Sequence, residues 1–126
     1  MTAVIYDAGV LVAADRNVRA VWADHRIRLE SGIVPVVPAP VVAQVSRSPA
    51  QVQLRRLLRG CEVVSLTEQQ AHVVGHLMGR AATHDIVDAV VAQTAADLRA
   101  DVVTGDRADI RRLLEAAGAT GQVIDV

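Results

Sequence analysis

Three aspartates follow or open apolar runs in a way that suits carboxylate chemistry: Asp7 after Ala3-Val4-Ile5-Tyr6, Asp88 within Asp85-Ile86-Val87-Asp88-Ala89, and Asp106 after Val102-Val103-Thr104-Gly105. A carboxylate just past the end of a buried strand is held at the rim of the sheet, where open α/β folds place their ligands. Several such groups together repel one another: at about 4–5 Å and an effective dielectric near 20, each pair costs roughly 3–4 kcal/mol. A divalent cation relieves that repulsion. Oxygen-only donors suit the hard ions Mg²⁺ and Mn²⁺, and such ions on a cleft rim most often serve phosphoryl chemistry, lowering the pKa of water and neutralising charge on phosphate.

Neighbouring residues extend the set. Asp85 stands three residues before Asp88, on the same face of a helix start near its positive dipole end, where an acid is commonly a capping residue. Asp88 is followed by Ala89-Val90-Val91-Ala92 and so opens a face that is being buried, where a charge needs a partner. Thr104, two residues before Asp106, carries a hydroxyl that can orient water or phosphate, or is a plain strand threonine. His25, His72, His76 and His84 form no metal signature, because His72 and His76 lack the intervening acid of a zinc-protease helix. Cys61 reads as a buried thiol.

The elements that must position these acids are legible from periodicity and breakers. Strands are predicted at Ala3 to Tyr6, Ile33 to Val37, Cys61 to Leu66, Asp101 to Thr104 and Gln122 to Asp125. Helices are predicted from Gly9 to Ala14, Val18 to Ser31, Val41 to Ser46, Ser48-Pro49 to Gly60, Thr67 to Arg80 with a capping box, about His84 to Leu98 under a Thr83 cap, and Ala108 to Ala117. Pro38 and Pro40 mark a turn out of the second strand. Short Val/Ile strands alternating with helices give an α/β fold, with about five parallel strands and helices on both faces.

At 126 residues and 52% hydrophobic content the chain, residues 1–126, is expected to be a single domain. Thirteen basic against fourteen acidic residues leave a formal charge of −1, so a nucleic-acid site would be a local patch. All thirteen cations are arginine. The absence of lysine excludes Schiff-base chemistry, a P-loop, a phosphorylated receiver and a haloacid-dehalogenase-like phosphatase, which also needs a second acid where Gly9 stands. Trp22 and Tyr6 offer no stacking platform for single-stranded RNA. One cysteine, no charged leader and no apolar run near about 20 residues lead us to expect a cytoplasmic protein without a membrane span.

Four stretches resemble the PIN-domain ribonucleases, in particular the VapC toxins of toxin–antitoxin pairs: Ile5-Tyr6-Asp7-Ala8-Gly9, the run from Val37 to Arg47, Asp85-Ile86-Val87-Asp88-Ala89, and Val102-Val103-Thr104-Gly105-Asp106-Arg107-Ala108-Asp109. In order and spacing they span almost the whole chain. The resemblance implies a three-layer α/β/α sandwich, a Mg²⁺- or Mn²⁺-dependent endoribonuclease and a VapB-like antitoxin partner; attack by metal-activated water would leave 5′-phosphate and 3′-hydroxyl ends, and a homodimer is expected. The resemblance further implies that Asp7, Asp88 and Asp106 are metal ligands and catalytic residues. Gln44 stands where the family commonly has glutamate. A neutral amide binds metal more weakly, so Asp109 or Asp85 is expected to compensate. A site that has lost catalysis, leaving a module that only binds its partner, is the alternative. Arg47, three residues on from Gln44, is expected on the same helical face, either gripping a substrate phosphate or solvated. For the antitoxin, Val21, Trp22, Leu54 and Leu57 are expected to form a groove, or else to pack on the sheet or form a homodimer.

Overall fold

The computed structural model describes residues 2–126. Its elements run β1 (Val4–Tyr6), α1 (Ala8–Asp15), α2 (Arg19–Glu30), β2 (Val36–Pro38), α3 (Ala39–Val45), α4 (Val52–Arg59), β3 (Glu62–Val64), α5 (Glu68–Ala81), α6 (Ile86–Leu98), β4 (Asp101–Thr104), α7 (Arg107–Ala117) and β5 (Val123–Asp125). All five strands are parallel, in the order β3-β2-β1-β4-β5. The chain winds outward from β1 through β2 to β3, then returns across the sheet to β4 and β5. The right-handed rule for parallel crossovers assigns α1 to α4 and α5 to α7 to opposite faces of a sheet with this order. Packing agrees for most helices: α1 touches α2, α3 and α4, whereas α5, α6 and α7 pack on one another and α6 crosses β1, β2 and β4; the two sets meet where α3 touches α6.

The reversal places β1 and β4 side by side, with Tyr6 opposite Val103 and the Asp7 N–H donating to Val103 O at 3.1 Å. Both strands are sandwiched between helix layers, which is why every residue from Val4 to Tyr6 and from Val102 to Thr104 is buried. The crevice beyond the carboxyl ends of two such strands is where open α/β sheets take their ligands.

Local chemistry moved several boundaries from their predicted places. β2 ends on Pro38 itself and α3 begins at the next residue, because Pro38, at φ −61° and ψ 139°, serves as both last strand residue and helix N-cap. The turn expected after β2 is absent. The helix expected from Ser48-Pro49 starts only at Val52: the Gln51 side-chain oxygen accepts from the N–H groups of Arg47 and Ser48 at 2.6 and 2.9 Å, holding a turn there. Thr83 does not cap α6. Its hydroxyl accepts from the Asp85 N–H at 3.1 Å, and Asp85 is the cap.

Candidate metal centre

Asp7, Asp85 and Asp106 share one local role: each is an N-cap, of α1, α6 and α7 respectively. Their carboxylates accept from the N–H groups of Gly9 at 2.8 Å, Asp88 at 2.9 Å and Asp109 at 3.5 Å. Three helix N-termini therefore meet at the crevice between β1 and β4, each presenting its positive dipole end to the acids.

Asp88 and Asp109 occupy first-turn positions of α6 and α7, one turn inside the caps. Carboxylate oxygens of Asp88, Asp106 and Asp109 lie within 4.8 Å of one another. Asp109, expected from the sequence to compensate for Gln44, is thus a full member of this triplet. Asp7 forms the floor beside them. It is 6% exposed, with Oδ1 held by the Gly9 N–H and Oδ2 by the Thr104 hydroxyl. Thr104 is fully buried and accepts in turn from the Asp106 N–H at 2.9 Å.

Titration behaviour follows from this crowding. Burial above all, then the charges of Asp85 and Asp7 and, more weakly, Asp106, push the Asp88 carboxyl up to about 7. Asp7 is also raised by burial, against the opposing pull of the Thr104 hydroxyl and backbone N–H groups. A carboxyl that holds its proton near neutrality among other acids marks a site short of positive charge. The donors offered there are all carboxylate oxygens, a set that fits a hard divalent cation.

The remaining candidates are not part of that triplet. Gln44 is exposed in the last turn of α3. Arg47 lies beyond the end of that helix rather than on its face, and its guanidinium donates to Ala43 O and Ser46 O at 2.9 Å, closing the helix C-terminus. Val21, Leu54 and Leu57 are core residues at 8%, 2% and 0% exposure, which corrects the expectation of a groove built from them; of the four, only Trp22 stays half-exposed. Burial pushes the Cys61 thiol up to about 12, so it is no nucleophile at neutral pH.

Sequence reasoning missed Arg107. Its guanidinium grips Asp125 at 2.9 and 3.0 Å and donates to Val123 O at 3.1 Å, anchoring the start of α7, and with it Asp106, to the end of β5. An arginine directly after a capping aspartate, with an acid at the last strand's end, was the available signal.

No protein-family model and no curated protein matches the chain. Solved structures do. A VapBC2 complex from Rickettsia felis, bound to a DNA fragment from its promoter, includes a chain that superposes with a TM-score of 0.75 at 14% identity, covering 99% of both chains. PAE2754 from Pyrobaculum aerophilum superposes at 0.66 with 17% identity, covering 99% of this chain and 90% of that one. This is a PIN-domain fold. FitAB bound to a DNA fragment supplies a third likeness, at 0.62 and 15% identity over 97% and 94% of the two chains. Within the PIN fold, the carboxylates above occupy the carboxyl edge of the sheet at its topological reversal.

Proposed function

We propose that the chain is a metal-dependent endoribonuclease, the toxin of a toxin–antitoxin pair. The observation that carries this reading is the meeting of Asp88, Asp106 and Asp109 over Asp7 at the carboxyl edge of a PIN-fold sheet. Asp88, Asp106 and Asp109 would hold Mg²⁺ or Mn²⁺ through carboxylate oxygens, with Asp7 completing the negative floor. A bound ion supplies the activation of water and the charge neutralisation that phosphodiester hydrolysis needs. The protein's own contribution is orientation. Thr104 fixes Asp7, three helix caps fix the acid positions, and the Arg107–Asp125 pair holds α7 in place.

The partner half of the proposal draws on the neighbours, two of which are toxin–antitoxin complexes bound to DNA. A cytoplasmic homodimer restrained by an antitoxin encoded beside it is the corresponding arrangement here. Among the described residues no helix is long and apolar enough to cross a membrane.

A second reading has one observation in its favour: Gln44 brings no charge where the resemblance leads one to expect glutamate. Under it the chain binds its partner but does not cut. One experiment separates the two. Purified protein is incubated with RNA in Mn²⁺, in Mg²⁺ and in EDTA, beside Asp7→Asn and Asp88→Asn. Cleavage that needs the cation and is lost in both variants supports the nuclease. Cation-independent cleavage, or cleavage unchanged in both variants, rules out the metal site, and absence of cleavage under every condition favours the binding-only module.

A further inference from the structure

The triplet of Asp88, Asp106 and Asp109 is drawn from the starts of two helices, α6 and α7, which press like charges together. One side-chain bond ties the segments that carry them. Arg112, one turn beyond Asp109 and so its neighbour on the surface of α7, donates from its guanidinium to the Ala81 carbonyl at 2.5 Å. It pairs with no carboxylate among the described residues, Asp109 included. The one arginine spaced to neutralise Asp109 along α7 therefore reaches away from the acids, which leaves their charge for an ion.

Ala81 is where this bond has leverage. It is the last residue of α5, and its carbonyl is one of those that a helix C-terminus leaves without an intrahelical partner. Among the described residues no backbone N–H reaches it. The next residue, Ala82, sits in the left-handed region at φ 52° and ψ 46°, which a Cβ disfavours, and Thr83 returns its N–H to Met78 O at 3.2 Å. From there a chain of bonds runs to the cluster: the Thr83 hydroxyl accepts from the Asp85 N–H at 3.1 Å, and the Asp85 carboxylate accepts from the Asp88 N–H at 2.9 Å. A cation at a helix C-terminus is favourable in itself. Here it comes from another helix, and the helix it caps is the one that hands the chain to α6.

We propose that Arg112 is a positioning residue of the metal centre: by capping α5 from α7 it sets the start of α6 against the start of α7, and with it the spacing of Asp88 from Asp106 and Asp109. This role rests on the metal-centre reading of the proposed function and names what holds that centre in register. Repulsion among the carboxylates drives the two helix starts apart, and the tether opposes it where α5 turns into α6. An exposed guanidinium near acids would also suit an RNA phosphate; the bond to Ala81 O and the relay through Thr83 and Asp85 favour positioning.

Arg112→Met keeps an aliphatic stem and removes the donors, Arg112→Lys restores a charged donor, and Thr83→Ala cuts the relay at its other joint without touching α7. Three quantities are read in the full chain: Mn²⁺ affinity by calorimetry without RNA, amide hydrogen exchange without metal, and affinity for a labelled RNA oligonucleotide in EDTA. Arg112→Met should weaken Mn²⁺ binding by roughly tenfold, speed exchange at the Asp85 and Asp88 amides more than in β4, and leave RNA affinity unchanged. Lysine should recover part of the Mn²⁺ affinity. Thr83→Ala should weaken Mn²⁺ binding in the same direction, and the double variant should lose less than the product of the two single factors, because both changes act on one relay. Unchanged Mn²⁺ affinity in Arg112→Met, an equal rise of exchange throughout the chain, or a loss of RNA affinity with Mn²⁺ binding intact would overturn the proposal. A parent that binds no Mn²⁺ overturns the metal centre and the tether with it, whereas equal binding by parent and Arg112→Met overturns the tether alone. RNA cleavage by the parent tests the nuclease separately, since none of the three readouts depends on it.

Discussion

The hydroxyl of Thr104 donates to Asp7 across the seam between β4 and β1, and the same oxygen accepts from the Asp106 N–H at 2.9 Å. One buried side chain thus sets the position of two acids from opposite ends of the chain. Thr104→Val keeps the shape and removes both bonds, leaving the Asp7 oxygen buried without its donor. Unfolding in urea should show a loss of about 1–3 kcal/mol, and Thr104→Ser should recover most of it. Equal stability of the valine variant and the parent would mean that Asp7 finds another donor.

Asp88 makes stability depend on pH. Its carboxyl is raised from 3.8 to about 7 in the fold, so the folded protein keeps a proton that the unfolded chain releases. Stability contributed by that proton is full at low pH and lost as pH rises through this window. Without divalent cation, the thermal midpoint should fall between those two values, and the fall should be shallower in Asp88→Asn. Added Mn²⁺ should raise the midpoint most at the upper end, where the carboxylate is free to bind. A parent protein with a flat profile would contradict this account of the cluster.

Gly9 is required by the close approach of two helix starts. A Cβ there would lie 2.9 Å from Gly105 N and 3.2 Å from Asp7 Oδ1, so backbone must move. Gly9→Ala should cost about 1–3 kcal/mol as an overpacking change and lower metal affinity together with stability. Gly105→Ala is the control, because its Cβ would meet Gly9 Cα at an ordinary 3.7 Å. Denaturation curves for the two variants should differ clearly, and identical curves would show that the seam relaxes freely.

Replacing Gln44 tests its place relative to the acids. If its side chain reaches the cation, Gln44→Glu adds a charged ligand and should tighten Mn²⁺ binding by roughly tenfold. Calorimetric titration showing the same affinity for both proteins would place Gln44 outside the coordination sphere.

Element type and order were legible because each strand is a short Val/Ile run and most helices carry a stop or a cap in sequence. Thr67 and Gln70 do form the predicted capping box. Boundaries failed where a side chain competes for backbone groups: nothing local announces that Gln51 will hold the Arg47 and Ser48 amides, or that Asp85 rather than Thr83 will cap α6. At the site, the logic of acids at strand ends covers Asp7 and Asp106, and the apolar face that follows Asp88 singles out that residue, but the share taken by Asp109 depends on how α7 leaves β4. The bond from Tyr6 to His25 was not legible, because it needs the packing of α2 against β1.

The placement of β1 beside β4 has a consequence for how the protein is made. Thr104 and Asp7 are 97 positions apart, so the acids cannot assemble until β4 and the start of α7 have left the ribosome and docked against a strand synthesised first. A nascent chain holding only β1, β2 and β3 carries Asp7 alone of the cluster, and so has no gathered set of carboxylates to offer a cation. The acids therefore stay apart through the synthesis of everything between β1 and β4, and the cluster comes into being only as α7 begins.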